Sequence, residues 1–207
     1  MAHQLEGKRR KQNLVFLKNF FRSPRELGSC APSSRFLVER LLRYVDWEGA
    51  GVFVEYGPGV GTFTLEVLGR MRPDARLVVL ETNDAFVKVL RRIEDPRLHV
   101  AHRSAADVAP VLEELGLDAP DYILSGIPLS LLPRDDRLRV LNETREVLRG
   151  GENGQDGVFL VYQFRRAIIG YLQEVFPRIV SEWEPLNIPP ATVVRAWPSE
   201  RAESASA

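Results

Sequence analysis

The stretch VFVEYGPGVGTFTLEVL, Val52–Leu68, joins two patterns through three glycines. Val52–Tyr56 is an apolar run of strand length, and Phe63–Met71 repeats its apolar residues at helical spacing. Between them stand Gly57, Gly59 and Gly61. Glycines at a strand-to-helix turn let the main chain come close to a ligand. The first N–H groups of the helix then face an anion. Nucleotides, phosphates and other anionic cofactors all suit such a turn.

Further strand-like runs lie at Leu77–Glu81, Leu98–His102, Tyr122–Ser125 and Val158–Phe164. Helical patterns alternate with them at Asp84–Ile93, Asp107–Leu115 and Arg137–Leu148, with Asp84 and Asp107 as expected N-caps. The runs do not alternate polar with apolar, so they suit strands covered on both faces of a parallel sheet. Arg178–Trp183 and Thr192–Trp197 differ. Only EPLNIPPA, Glu184–Ala191, joins them, which leaves no room for a helix and predicts an antiparallel hairpin. The expected fold is α/β: a Rossmann-like class I methyltransferase, with a seven-stranded, mostly parallel sheet, a C-terminal antiparallel hairpin and helices on both faces. No internal repeat is visible at solenoid spacing.

The glycine spacing refines the ligand. Glu55–Gly61 reads E-x-G-x-G-x-G, whereas the dinucleotide fingerprint G-x-G-x-x-G places its third glycine one residue later, where this chain has Thr62. The spacing and the hairpin together point to S-adenosylmethionine (SAM). Its carboxylate would meet the helix N-terminus and Thr62, and Glu55 would counter its amino group. Glu81, 20 residues after Gly61 and followed by Thr82, would accept the ribose hydroxyls. A tight turn flanked by two surface carboxylates is the alternative. Ser104, Ala105 and Ala106 follow the third strand, and their small side chains would let an adenine ring lie flat. Ser104 or Asp107 would bond its amine, unless Asp107 only caps a helix.

The fourth strand runs into Ser125-Gly126-Ile127-Pro128-Leu129. Enzymes that methylate amino groups on nucleobases carry Asn/Asp-x-Pro-Tyr/Phe at this place. Gly126 replaces the amine-binding residue and Leu129 the aromatic one. Base–aromatic stacking contributes about 1–3 kcal/mol, so its loss argues against a flipped base. Ile127, Leu129, Leu131 and Leu132 would line an apolar pocket or else belong to the core.

The 207 residues fit one domain, with 44% hydrophobic and 27% charged side chains. Lys+Arg and Asp+Glu both number 28, and this neutrality argues against nucleic acid as partner. One cysteine, Cys30, excludes a disulfide framework, and no metal site is expected. No apolar run approaches the roughly 18 residues of a membrane span, and the N-terminal segment lacks the apolar core of a signal peptide. Three parts are expected: a basic leader and loop over 1–34, the catalytic domain over 35–198, and a polar tail over 199–207. Residues 1–27 hold seven basic and two acidic side chains, a local net of +5. As a helix, Leu14, Phe16, Leu17, Phe20 and Phe21 would share about 160° of arc. Lys11, Lys18 and Arg22 lie opposite. This pattern suits a helix lying on an anionic membrane, a helix packed on the sheet, or an RNA contact.

APSS (Ala31–Ser34), VEYGPGVGTFT (Val54–Thr64), SGIPL (Ser125–Leu129), VYQF (Val161–Phe164) and NIPPATV (Asn187–Val193) together resemble the bacterial phospholipid N-methyltransferases. That family of class I SAM enzymes is related to the rRNA adenine dimethylases. The resemblance covers roughly residues 14–197. It implies stepwise methylation of phosphatidylethanolamine toward phosphatidylcholine, in the cytoplasm at the inner face of the cell membrane. It implies SAM contacts at Glu55, Gly57, Gly59, Gly61, Thr62, Glu81 and Thr82, and at Ser104–Ala106. Ser125, Gly126 and Pro128 would border the methyl-transfer site. Lys11, Phe16, Lys18, Phe20, Phe21, Arg22, Ser33, Ser34 and Arg165 would meet the membrane or the lipid. The acceptor ammonium must lose a proton. Tyr162, or else His102, is the candidate to receive a hydrogen bond from it. Arg165 and Arg166 would bind the headgroup phosphate or simply begin a helix. An rRNA adenine dimethylase-like or small-amine methyltransferase is the competing expectation.

Overall fold

A computed structural model describes residues 34–150 and 155–200. The strands are β1 (Val52–Tyr56), β2 (Arg76–Leu80), β3 (Leu98–Ala101), β4 (Tyr122–Ser125), β5 (Val158–Gln163), β6 (Arg178–Glu184) and β7 (Ala191–Trp197). They form one sheet in the order β3-β2-β1-β4-β5-β7-β6. The first five run parallel, and β7 is antiparallel to both β5 and β6. The described helices are α1 (Arg35–Leu42), α2 (Thr62–Arg70), α3 (Asp84–Leu90), α4 (Val108–Glu114), α5 (Arg134–Val147) and α6 (Ile168–Gln173).

The sheet is covered on both faces, as the uninterrupted apolar runs required. Val54, Ile123, Phe159 and Val161 pack with Val111 of α4, Leu141 of α5 and Leu172 of α6. Phe53, Leu77, Leu124 and Leu160 pack with Leu41 of α1, Val67 of α2 and Leu90 of α3. The central strands are therefore apolar at consecutive positions, while edge strand β6 is largely half-exposed or exposed.

Chain order around β1 makes the crevice. From β1 the chain steps to β2 and β3 on one side, then crosses back to β4 on the other. Loops leaving β1 and β4 thus diverge at their carboxyl ends, where open α/β sheets receive ligands. Because β6 runs in the direction of β5, the β6–β7 link lies at this same edge.

Two caps differ from expectation. Asn83, not Asp84, caps α3, its side chain accepting from Ala85 and Phe86 N–H; the amide at the extended residue reaches these donors, whereas Asp84 is already helical. Ser104 caps a 3-10 turn, Ala105–Asp107, and Asp107 returns a bond to Ser104 N–H, so Asp107 makes no side-chain cap for α4. Helix α5 begins three residues before the expected Arg137. Helices α1 and α6 were not expected.

Candidate active site

The three glycines serve different needs. Gly57 has φ +63°, and a Cβ there would stand 2.5 Å from Cγ2 of Ile127, so the β4 loop packs directly on it. Gly59 has φ +56° and nothing within 4 Å of its Cβ position. Its left-handed backbone calls for glycine, and the space beside it is open to a ligand. Gly61 holds the N-cap position of α2 without a side-chain cap, and Thr62 is the first helical residue.

Two carboxylates stand beside this turn. Glu55 is 3% exposed and accepts a 2.6 Å hydrogen bond from the Thr64 hydroxyl. Burial raises its pKa from 4.5 to about 7, against the lowering by Thr64; nearby Glu81 adds to the rise. A cation placed against it would restore the charge. Glu81 is also almost buried, just beyond β2, and receives Gly59 N–H at 3.1 Å and Asn83 N–H at 2.8 Å, one on each oxygen. These bonds fix the carboxylate and leave each oxygen one lone pair for a diol. Thr82 is exposed, and its carbonyl lies 3.0 Å from Nε2 of His102. Ala105 and Ala106 belong mostly to the core, and Ser104 accepts from Ala106 N–H at 3.2 Å. Asp107 also meets Arg139 at 3.3 Å.

Across the crevice, Ser125 is buried and its hydroxyl has no hydrogen-bond partner among the described residues. A Cβ on Gly126 would lie 2.8 Å from the Tyr162 hydroxyl oxygen and 3.4 Å from the Gly57 carbonyl oxygen. The phenol therefore occupies the space a side chain at 126 would need. Tyr162 stacks on Phe63, centroids 5.3 Å apart, and meets Phe164 edge-on at 6.3 Å. Gln163 braces the turn by donating to the Ile127 carbonyl at 2.6 Å. Pro128 is exposed and opens a 3-10 turn, Leu129–Leu131.

Some expected contributors lie elsewhere. Leu129 is fully buried in the core and lines no pocket, because the 3-10 turn points it inward; Leu131 points to solvent. His102 follows β3, three strand spacings of about 4.8 Å from β4, so it is too far from Gly126 to receive the amine proton. Ser34 caps α1, its hydroxyl accepting Leu37 N–H at 3.2 Å. Arg165 and Arg166 are exposed and make no ion pair among the described residues. Lys11, Phe16, Lys18, Phe20, Phe21, Arg22 and Ser33 lie outside the described residues. Thr64, Gln163 and Asn187 were missed as supports. Their one sequence signal is a polar residue set in an otherwise apolar run.

The parallel sheet with its terminal hairpin, the glycine turn and the two inward acids define a class I, SAM-dependent methyltransferase. No protein-family profile matches the chain. It is 28% identical over 183 residues to the ornithine lipid N-methyltransferase of Singulisphaera acidiphila, covering 87% of this chain and 93% of that one. A ribosomal RNA small subunit methyltransferase H from Desulfotalea psychrophila is 29% identical over 113 residues, covering 53% of this chain and 38% of its own length. Among solved structures, N-methyltransferase NodS from Bradyrhizobium japonicum superposes with TM-score 0.58 at 15% identity, over 77% of this chain and 93% of its own. Precorrin-6y C5,15-methyltransferase from Geobacter metallireducens gives TM-score 0.58 at 14% identity, over 79% and 88%. The chain is thus a homologue of a lipid N-methyltransferase along nearly its whole length, and of RNA enzymes along about half.

The residues present fit SAM. Gly59 leaves an open cradle, Glu55 offers a buried anion to the amino group, and Glu81 offers oriented oxygens to the ribose.

Proposed function

We propose that this protein N-methylates an amino lipid at a membrane surface, in the substrate class that phosphatidylethanolamine and ornithine lipid share. The observation that carries this reading is the exchange of Gly126 and Tyr162. A phenol fills the place where nucleobase enzymes hold an amide or carboxylate, and Leu129 is withdrawn into the core. No ring or amide side chain of that motif remains to hold a base, whereas the Tyr162 hydroxyl stands beside Gly126 and can accept a hydrogen bond from an amine. The match along the ornithine lipid enzyme supports the same class.

Bound SAM supplies a methyl group already activated for displacement. The chain's own residues then have three tasks. Glu55 and Glu81 would hold the cofactor's amino group and ribose. Tyr162 accepts a hydrogen bond from the acceptor nitrogen and aligns its lone pair for in-line attack. The departing proton passes from nitrogen through the Tyr162 hydroxyl or water toward solvent. Arg165 and Arg166, exposed just beyond β5, meet an anionic headgroup.

The test is label transfer from methyl-labelled SAM to vesicles containing phosphatidylethanolamine or ornithine lipid, each with an anionic lipid. Label in mono-, di- or trimethylated lipid supports the reading, identifies the acceptor and counts the steps. Label in ribosomal RNA with none in either lipid overturns it.

A further inference from the structure

The β6–β7 link reverses the usual polarity of an exposed turn. Turns normally show polar residues to water. Here Pro185, Leu186, Ile188, Pro189 and Pro190 face outward, with Ile188 87% and Leu186 60% exposed. The two polar residues at this end face inward. Glu184 is buried and bonded to Arg40; burial raises its pKa, but Arg40 and the Leu186 N–H together hold it below the ordinary value. Asn187, also buried, accepts Ser34 N–H at 3.0 Å and donates to the Pro189 carbonyl at 2.7 Å.

The backbone of this tip is also prepared for a dry surrounding. Pro185, Pro189 and Pro190 have no N–H, and the Leu186 N–H donates to Glu184 Oε1 at 2.8 Å. Four of the six residues 185–190 therefore offer no free donor to be desolvated. An unpaired N–H moved out of water would be costly, so this tip has fewer donors to desolvate than a proline-free turn.

Its surroundings complete the face. Thr192, beside the tip, pairs with Gln163, which places exposed Phe164 next to it. Trp183, half-exposed, lies opposite Thr192 on β6. The Ser34–Asn187 bond brings the start of α1, with exposed Arg35, to the same edge. Arg35, Arg165 and Arg166 make no ion pair among the described residues. Glu182 and Glu184 of β6 are paired with Arg40 and Arg43, and the exposed Asp135 and Asp136 stand farther off, at the start of α5 beyond β4.

We propose that the β6–β7 tip, with Phe164 and Trp183, is a docking face that enters the interface of an anionic lipid bilayer and sets the crevice against it. This rests on the reading of the acceptor as a lipid. An apolar tip beside exposed arginines matches an anionic bilayer, with rings at headgroup depth and guanidinium groups at phosphates. The face lies at the edge where the acceptor must arrive.

The test uses the full chain and vesicles of phosphatidylethanolamine with phosphatidylglycerol. Leu186→Asp combined with Ile188→Asp is compared with wild type and with Val180→Asp, which puts a charge on the same edge strand away from the tip. Unchanged circular dichroism of the double variant guards against misfolding. Vesicle co-sedimentation of the double variant should weaken about tenfold or more, while Val180→Asp binds as wild type. Brominated lipids should quench Trp183 fluorescence, and Trp183→Phe should remove that signal. Equal vesicle binding by the double variant overturns the docking face, as does its equal loss in Val180→Asp. Equal binding with a changed solution mass reassigns the tip to protein contact and also overturns it. Label transfer separates the two readings. Lost vesicle binding without methylated lipid in wild type leaves the face standing and removes the acceptor; methylated lipid with equal binding does the reverse.

Discussion

The ends of β1 and β2 hold two almost buried carboxylates, Glu55 on the Thr64 hydroxyl and Glu81 on two backbone N–H groups. The ends of β4 and β5, on the same edge of the same sheet, present a glycine, a phenol and exposed apolar rings. The carboxylates of the first half are held by groups within 22 residues of them in sequence. The second is built from residues far apart, Gly126 against Tyr162 and Ile127 against Gln163. On the proposed reading, the difference follows the ligands. A cofactor with fixed charges needs fixed counter-groups, and a chain can carry them in one local motif. An acceptor is distinguished by shape and by one nitrogen, which several segments must frame together.

The strongest way to break this contrast is Gly126→Asn, which restores the nucleobase-enzyme residue. Its side chain would collide with the Tyr162 hydroxyl. We expect lipid methylation to fall about 1,000-fold, with SAM affinity retained, because displaced positioning and lost proton handling add. Calorimetric SAM binding beside label transfer checks both halves. Comparable loss in the two assays would show that the halves are not separable.

Glu81→Ala attacks the other side. Loss of two charge-assisted diol bonds should weaken SAM about 100-fold, with vesicle binding unchanged by co-sedimentation. Tyr162→Phe keeps both stacked rings and removes only the hydroxyl. We expect a fall of about 10- to 100-fold in kcat, with KM for SAM unchanged. A change in the KM for SAM would instead make Tyr162 part of the cofactor half.

Glu55 sharpens the comparison through pH. Its pKa of about 7 means that it binds a proton in the unliganded fold near neutrality. Capture of a cationic amino group expels that proton. SAM affinity should therefore fall as pH drops from 7.5 to 5.5, by up to about tenfold per unit below 7. Stability runs the other way. A carboxylate with a raised pKa lets the native state hold more protons than the unfolded chain between 4.5 and about 7, so the unliganded fold loses stability as pH rises through that window. Glu55→Gln should remove this loss and raise the unfolding free energy at pH 8 by an amount on the order of 1–3 kcal/mol, read as a higher melting temperature, while weakening SAM. A flat affinity profile would mean that Glu55 does not meet the amino group.

Much of the β1–β2 half was legible in the linear chain. The apolar run, the glycine spacing and the acid after the second run are short-range patterns, and each maps to one strand end or one turn. The caps at Asn83 and Ser104 were misplaced by one to three residues, because several adjacent polar side chains could reach the same N–H groups. Leu129 could not be assigned, since a leucine in a turn reads alike whether it faces the core or the crevice. His102 looked useful because it ends a strand, but usefulness depends on which strand lies next to which.

Local pattern was enough for the glycine turn, Glu55, Glu81 and the hairpin, because backbone geometry and hydrophobic period act between near neighbours. It also marked Gly126 as a missing amide. Long-range packing settled why that glycine is required, through Tyr162 from the next strand. Packing also turned Glu184 and Asn187 inward and left Leu186 and Ile188 outside. These outcomes depend on strand order and on which side of a turn finds a buried partner, and chain sequence records neither until the sheet is assembled.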